Sequence, residues 1–411
     1  MRILVAGASI AGPTAAYWLA RDGAEVTVVE RAPALRGGGH DVDVRGAQLE
    51  VLHRMDLVDA VHERRSGVTG HRVVDADGRT RVRLPSWVFG GELEIGRGDL
   101  AGLLHERTRD DARYVFGDRV AALEQDAAGV DVAFASGREE RFDLVVGADG
   151  LRSGVRAAAL DPDGRCVDFR GYHHAGFTAP NLLGLDHEGV LYTEPGIGVS
   201  LTSGRDGTRA NAGLVVAAPD RDRLGAAELA ALAAGAGWET PRILAALAEA
   251  TDVWVSPLAQ VRLDRYRRGR VVLLGDAAWG AGPGGSGTGL AMTAAHVLAA
   301  ALRGAEGDHD AAFARYEAAV RPAAAAGLRQ ARDAGRRFLA PPTARAIRTR
   351  DRTLRVLSSR PLRPLLERLT SGAANALHPD AATPTAPRPQ DAASTPAPPR
   401  TPEPERGPSA R

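Results

Sequence analysis

The apolar run Ile3-Leu4-Val5-Ala6 leads straight into Gly7-Ala8-Ser9-Ile10-Ala11-Gly12. A short unbroken apolar run bounded by glycine predicts a strand buried on both faces, as in a parallel sheet. Pro13 suits the first turn of a helix, where no amide hydrogen is needed. Ala15, Ala16, Leu19 and Ala20 give that helix its apolar face, and Gly23 is placed to end it. Glu25-Val26-Thr27-Val28-Val29-Glu30 then predicts a second strand. Leu49, Leu52, Met55, Leu57 and Val61 have helical spacing and predict a helix over 47–63. Residues 71–95 switch to strand-like text around an Asp77-Gly78 hairpin turn. A helix is expected from Asp99, with strands over 130–134 and 143–146. Short strands dominate 165–262, broken by an alanine-rich helical stretch at 225–249. A buried strand returns at Arg270–Leu274, and a long helix follows through 289–302.

Strand-helix alternation at both ends of a strand-rich middle predicts an α/β fold. The expected organisation is a discontinuous Rossmann-like nucleotide-binding domain over 1–70, 96–164 and 263–320. A β-rich domain over 71–95 and 165–262 is inserted into it. Residues 321–368 hold thirteen arginines against Asp333, Asp351 and Glu367, and predict an Arg-rich helical segment extending to 375 with a solvated basic face. Residues 376–411 are rich in proline with no aromatic residue, which predicts a disordered tail.

Composition narrows the chemistry. The 411 residues carry 52 basic and 51 acidic side chains, a balance that argues against a dedicated nucleic-acid binder. Every basic residue is arginine, which excludes enzymes built on a lysine amine, such as Schiff-base catalysts and protein kinases. The single cysteine, Cys166, excludes internal disulfides, thiolate zinc sites and cysteine-ligated clusters. No apolar run reaches the ~18–20 residues of a membrane span, so a cytoplasmic protein without transmembrane segment is expected. Composition leaves the oligomeric state open.

Three motifs carry candidate chemistry. Gly7-x-Ser9-x-x-Gly12 is a dinucleotide-type turn with serine at its middle position. Glu30 ends the second strand, where a carboxylate can accept from both ribose hydroxyls of an adenosine; Arg31 follows it. The second motif is Asp149-Gly150 at the end of a buried strand, with Ser153 and Arg156 at fixed offsets. In the third, a strand delivers Asp276 to the sheet edge, followed by Pro283 and the run Gly284-Gly285-Ser286-Gly287-Thr288-Gly289. The helix opened by that run would point its positive end at a bound anionic ring.

In this order, with Arg97-Gly98-Asp99-Leu100 between the first two, the motifs resemble the single-component FAD-dependent aromatic hydroxylases (group A flavoprotein monooxygenases) over residues 1 to about 305. The resemblance implies that Gly7, Ser9, Gly12 and Glu30 hold the ADP half of FAD and that Arg97 contacts its ribose or pyrophosphate. It assigns Asp149 and Gly150 to the shared FAD and NAD(P)H fingerprint and Asp276 to the ribityl chain or pyrophosphate. Pro283, Gly285, Gly287 and Thr288 would lie beside the flavin. It also implies NADPH or NADH as co-substrate, O2, a flavin C4a-hydroperoxide, and a small aromatic or polyketide-like substrate. The inserted domain offers Tyr172, His173 and His174 as pocket candidates; adjacent strand residues face opposite ways, so only one of the two histidines can line a pocket. Trp279, where many members carry His or Tyr, is expected to shape the pocket. Tyr192, Trp254 and Tyr266 read as core aromatics. A reductase or dehydrogenase on the same fold, or a non-catalytic flavin or ligand binder, is the alternative.

Overall fold

The computed structural model describes residues 1–86, 93–284, 287–362 and 376–382. Its first layer is a six-stranded sheet in the order Arg267–Arg268, Val271–Leu273, Leu144–Gly147, Arg2–Ala6, Glu25–Glu30, Ala112–Phe116. All neighbours pair in parallel except the first two strands. Leu4, Val5, Val28, Val145 and Val272 are fully buried in a core shared with the helices Ala11–Arg21 and Gly287–Arg303 and with a three-stranded sheet of Val120–Gln125, Val130–Phe134 and Glu139–Phe142. The chain's first strand lies between Leu144–Gly147 and Glu25–Glu30. The sheet therefore grows in opposite directions from this strand, and the crevice beyond its carboxyl end is where open α/β sheets hold ligands.

The second layer is a seven-stranded sheet ordered Trp254–Val261, Val167–Pro180, Arg209–Ala217, Ile197–Thr202, Glu188–Glu194, Gly70–Val74, Thr80–Pro85. The Gly70–Val74 strand pairs in parallel with Glu188–Glu194, so two distant stretches of sequence share one sheet. Ala175, Phe177, Leu214 and Val216 point to one face and pack under the helices Ala226–Ala233 and Thr240–Glu249. The register puts Trp254, Gly176, Gly213, Ser200 and Leu191 in one row on the opposite face. At its far end that face is closed by the helix Ala344–Leu357, whose Leu354 packs on Val73, Val82 and Leu84.

Three expectations change. The helix expected over 47–63 is two, Ala47–Arg54 and Val58–Glu63, because Asp56 takes a left-handed turn at φ 55°. The 225–249 helix likewise divides before Trp238 at φ 57°. The segment expected to be disordered from 376 onward begins with an ordered stretch. Leu377 is 2% exposed, the Pro379 carbonyl oxygen lies 3.0 Å from His296 Nδ1, and Arg54 donates to both Asp380 oxygens at 2.7 and 3.0 Å. Residues 383–411, together with 87–92 of the strand-like stretch and 363–375 of the Arg-rich one, lie outside the described residues. Among the described residues no helix is long and apolar enough to cross a membrane.

Candidate functional site

The glycine turn is built by backbone contact. Gly7 sits at φ +107°, and a Cβ there would lie 2.4 Å from the Ala148 carbonyl oxygen at the end of the neighbouring strand. A Cβ on Gly12 would come 1.8 Å from the Gly7 oxygen, so both outer positions of the motif require glycine. The helix Ala11–Arg21 starts here with no side-chain cap and no acidic residue in its first turn. Its leading amides and positive dipole end therefore face the crevice.

Polar side chains from four segments gather around this turn. Glu30 Oε2 accepts from the Ala8 amide and Oε1 from the Ala32 amide, both at 2.9 Å, leaving lone pairs on each oxygen. Ser9 Oγ accepts from Arg97 Nη2 at 3.0 Å. The Arg97 charge also reaches His40 and Asp276, depressing the proton affinity of both. Asp276 leads the short helix Asp276–Trp279, and a Cβ on Gly287 would lie 3.6 Å from its Oδ1. That places the carboxylate beside the start of the helix Gly287–Arg303. Asp276 and His40 both present surface to solvent, yet protein atoms crowd them closely. Groups on the wall of a deep cleft have both properties. Desolvation is the larger influence on each, raising the Asp276 pKa and lowering that of His40 to about 4.

The inserted sheet forms the other wall. Gly38, in the loop after the second strand, would meet Asp252 Oδ2 at 2.5 Å with a Cβ, and Asp252 accepts from the Thr178 amide at 3.0 Å. The His174 ring stands edge-on to Trp254 at 4.4 Å, and His40 lies 5.5 Å from Trp254 and 6.0 Å from His174. Trp254 covers Gly176 so closely that a Cβ there would be 2.5 Å from the indole. Burial lowers the His174 pKa to about 3, with His40 adding to it. Beside them, Asn211 Nδ2 donates to Asp41 Oδ1 at 3.3 Å. Desolvation, reinforced by Asp99, raises the Asp41 pKa to about 6; desolvation and then Asp41 raise Glu94 to about 7.

Several expected site residues take other roles. Asp149 accepts from the Ser153 hydroxyl and from the amides of Gly154 at 2.7 Å and Val155 at 3.2 Å, so its carboxylate caps the helix Gly154–Ala159. Gly150 adjoins this cap at φ +80°. Arg156 Nη1 then donates to the Ala277 carbonyl oxygen at 3.0 Å, tying that helix to the Asp276 helix. Trp279 does not line the cleft: it is 1% exposed in the core, with Tyr266 at 5.3 Å. His173 is fully buried on the sheet face away from the cleft, its ring 5.1 Å from Phe169. Tyr172 shares the His174 face but is covered; a Cβ on Gly335 would meet its ring at 3.0 Å. Arg31 is exposed just after the Glu25–Glu30 strand, and Pro283 borders a small crevice against Gly335. Gly287 and Thr288 open the Gly287–Arg303 helix, whereas Gly285 lies outside the described residues.

The sequence reading missed His40, Trp254 and Gln48. Gln48 is 1% exposed, and its Oε1 lies 1.8 Å from where a Gly289 Cβ would be. Its Nε2 is buried without a partner among the described residues. An unsatisfied amide donor at the opening of the Gly287–Arg303 helix, a close-fitting glycine turn and an uncapped helix end together suit an anionic dinucleotide with a polar ring.

Residues 1–331 match the family model described as FAD binding domain. The chain belongs to the FAD-dependent aromatic hydroxylase family. An uncharacterised protein of Mycobacterium tuberculosis is 38% identical over 329 residues, 77% of this chain and 88% of that one. A flavin-dependent monooxygenase of Legionella longbeachae is 33% identical over 332 residues, 78% of this chain and 85% of that one. The crystal structure of the tetracycline destructase Tet(55) superposes with a TM-score of 0.77 at 32% identity, covering 92% of this chain and 97% of that one. The protein is thus an FAD-dependent monooxygenase.

Proposed function

We propose that this flavoprotein uses NADPH or NADH and O2 to hydroxylate a small aromatic or polyketide-like molecule held between the crevice and the inserted sheet. The observation that carries this reading is the opposition of two walls. One carries the Gly7–Gly12 turn, Arg97, Asp276 and two helix N-termini; the other carries the aromatic cluster of His174 and Trp254 over a glycine floor. The tetracycline destructase relative supports a flat, polycyclic, oxygen-rich substrate class.

FAD, when bound, supplies the electron storage and oxygen activation that no side chain offers. In this reading the Ala11–Arg21 helix end, Ser9 and Arg97 hold its pyrophosphate, and Gly7 and Gly12 let the backbone approach it. Glu30 accepts from the ribose hydroxyls and Asp276 from the ribityl chain. Gln48 Nε2 and the opening of the Gly287–Arg303 helix face the ring. His40 and His174, kept neutral by burial, hydrogen-bond a phenolic substrate without adding charge. Trp254 excludes water from the reacting face.

The test is NADPH and NADH oxidation against a panel of phenols and polycyclic polyketides under labelled O2. Substrate-stimulated oxidation with one labelled oxygen atom in the product is expected. Oxidation that leaves every organic product unlabelled would contradict hydroxylation of these compounds, and silence with every compound would contradict the proposed substrate class.

A further inference from the structure

The helix Ala344–Leu357 carries Arg348, Arg352 and Arg355 at i, i+4 and i+7, so the three guanidiniums leave one face over about two turns. That face forms one wall of a cavity of about 460 Å³; the facing wall comes from the turn at Asp75 and from the strand end at Tyr192–Pro195. The volume lies within the range of roughly 300–1,000 Å³ typical of small-molecule sites. In the sheet, three strands separate this wall from the Trp254 strand, roughly 19 Å at ordinary strand spacing. The cavity is therefore apart from the flavin cleft, and the inference does not rest on the flavin reading.

The charges around it do not balance locally. Asp351 is occupied by the guanidinium of Arg350 at 2.7 and 3.0 Å. Glu194 accepts from the Tyr192 hydroxyl and, at 2.9 Å, from the Gly237 amide. Asp75 accepts from the amides of Asp77 and Arg79 at 3.1 and 2.9 Å, with Arg81 Nε at 4.0 Å. Only Asp351 is thus paired with a guanidinium at hydrogen-bond distance; Asp75 and Glu194 keep their charges, and the imbalance is that of Arg81, Arg348, Arg350, Arg352 and Arg355 over Asp75, Glu194 and Asp351. Among the described residues, Arg348 and Arg352 make no ion pair, and Arg355 donates only to the Arg81 carbonyl oxygen at 2.8 Å. Three like charges at helical spacing repel one another, and an anion between them relieves that repulsion.

The wall is also held still. Arg350, 7% exposed, donates to Thr193 Oγ1 at 3.0 Å and to the Phe338 carbonyl oxygen at 2.8 Å, pinning the helix to the sheet. Ile347, Ala344 and Pro195 add an apolar surface beside the guanidiniums. Rigid guanidinium forks match phosphate oxygens two at a time, and the apolar patch suits a ring. We propose that this cavity binds a phosphorylated small molecule of the nucleotide class.

Such a phosphate could belong to a free nucleotide or to the adenosine end of the nicotinamide co-substrate. The experiment is calorimetric titration of the FAD-loaded protein with ADP and with adenosine 2′,5′-bisphosphate. It compares the wild type with Arg348→Ala/Arg352→Ala and with Arg348→Lys/Arg352→Lys. Both positions are exposed, so thermal midpoint and FAD content should stay unchanged and serve as folding controls. Binding of at least one probe, weakened by salt, lowered about tenfold or more by the alanine pair and less by the lysine pair, is expected. A parallel rise in the KM for NADPH would identify the co-substrate as the source; an unchanged KM would identify a separate nucleotide. If the wild type binds neither probe, or the alanine pair binds as well as the wild type, the proposal is wrong and the arginines are a solvated face.

Discussion

A Cβ on Gly12 would overlap the Gly7 carbonyl oxygen, a backbone atom that cannot turn aside. Gly12→Val should therefore open the turn and weaken FAD binding by about tenfold or more, read by fluorescence titration of the apoprotein with FAD. Asp276→Asn keeps the shape but removes the charge from the carboxylate beside the Gly287–Arg303 helix. Loss of a charge-assisted hydrogen bond of ~1.5–3 kcal/mol predicts roughly 10- to 150-fold weaker FAD. The cleft titrations oppose one another. His40 and His174, with pKa lowered to about 4 and about 3, stay neutral in the fold while the unfolded chain protonates them near pH 6.5, so they remove stability as pH falls below that value. Asp41 and Glu94, raised to about 6 and about 7, hold protons that the unfolded chain releases, so they remove stability as pH rises from about 4 to 7. Replacing His40 by Asn should tilt the chemical-denaturation profile between pH 4 and 6.5 toward relatively greater stability in acid. A profile parallel to the wild type would contradict this assignment.

At the scale of elements, the second motif illustrates how local chemistry can be legible while its role is not. Asp149, Ser153 and Arg156 stand out in the sequence, but their spacing serves a helix cap and a tie to Ala277. Asp149→Ala leaves that cap unmade and should cost about 1–3 kcal/mol in urea unfolding. The glycine turn was readable because its constraint lies within a few residues of backbone. Trp254 was not, because its place over Gly176 depends on pairing between strands some 80 residues apart in sequence, which no local pattern encodes. Trp279 was misplaced for a related reason: a helix as short as Asp276–Trp279 has no periodicity to show which side faces the core. Gly176→Val should push Trp254 aside and raise the KM for substrate while leaving FAD affinity unchanged. An equal loss of FAD binding would mean that Trp254 belongs to the cofactor wall.

Over the whole molecule, the α/β architecture follows from the apolar runs at 3–6, 26–29, 144–146 and 271–274, whose burial on both faces requires packed layers, supplied by helices and by the three-stranded sheet. The proline-rich composition of the C-terminal stretch concealed the short segment that docks through Leu377 and Asp380. Burial of one leucine is worth about 2 kcal/mol, so truncation after residue 375 should lower the thermal midpoint. The fold brings two helix N-termini, Ser9, Arg97, Asp276 and the amide of Gln48, which has no partner among the described residues, to one crevice, and the central claim is that this crevice holds FAD. The most direct test is the absorption spectrum of the purified protein before and after addition of FAD and gel filtration. Stoichiometric flavin, retained by the wild type and lost from Gly12→Val, is the expected result. A colourless wild-type protein that takes up no FAD would contradict the account.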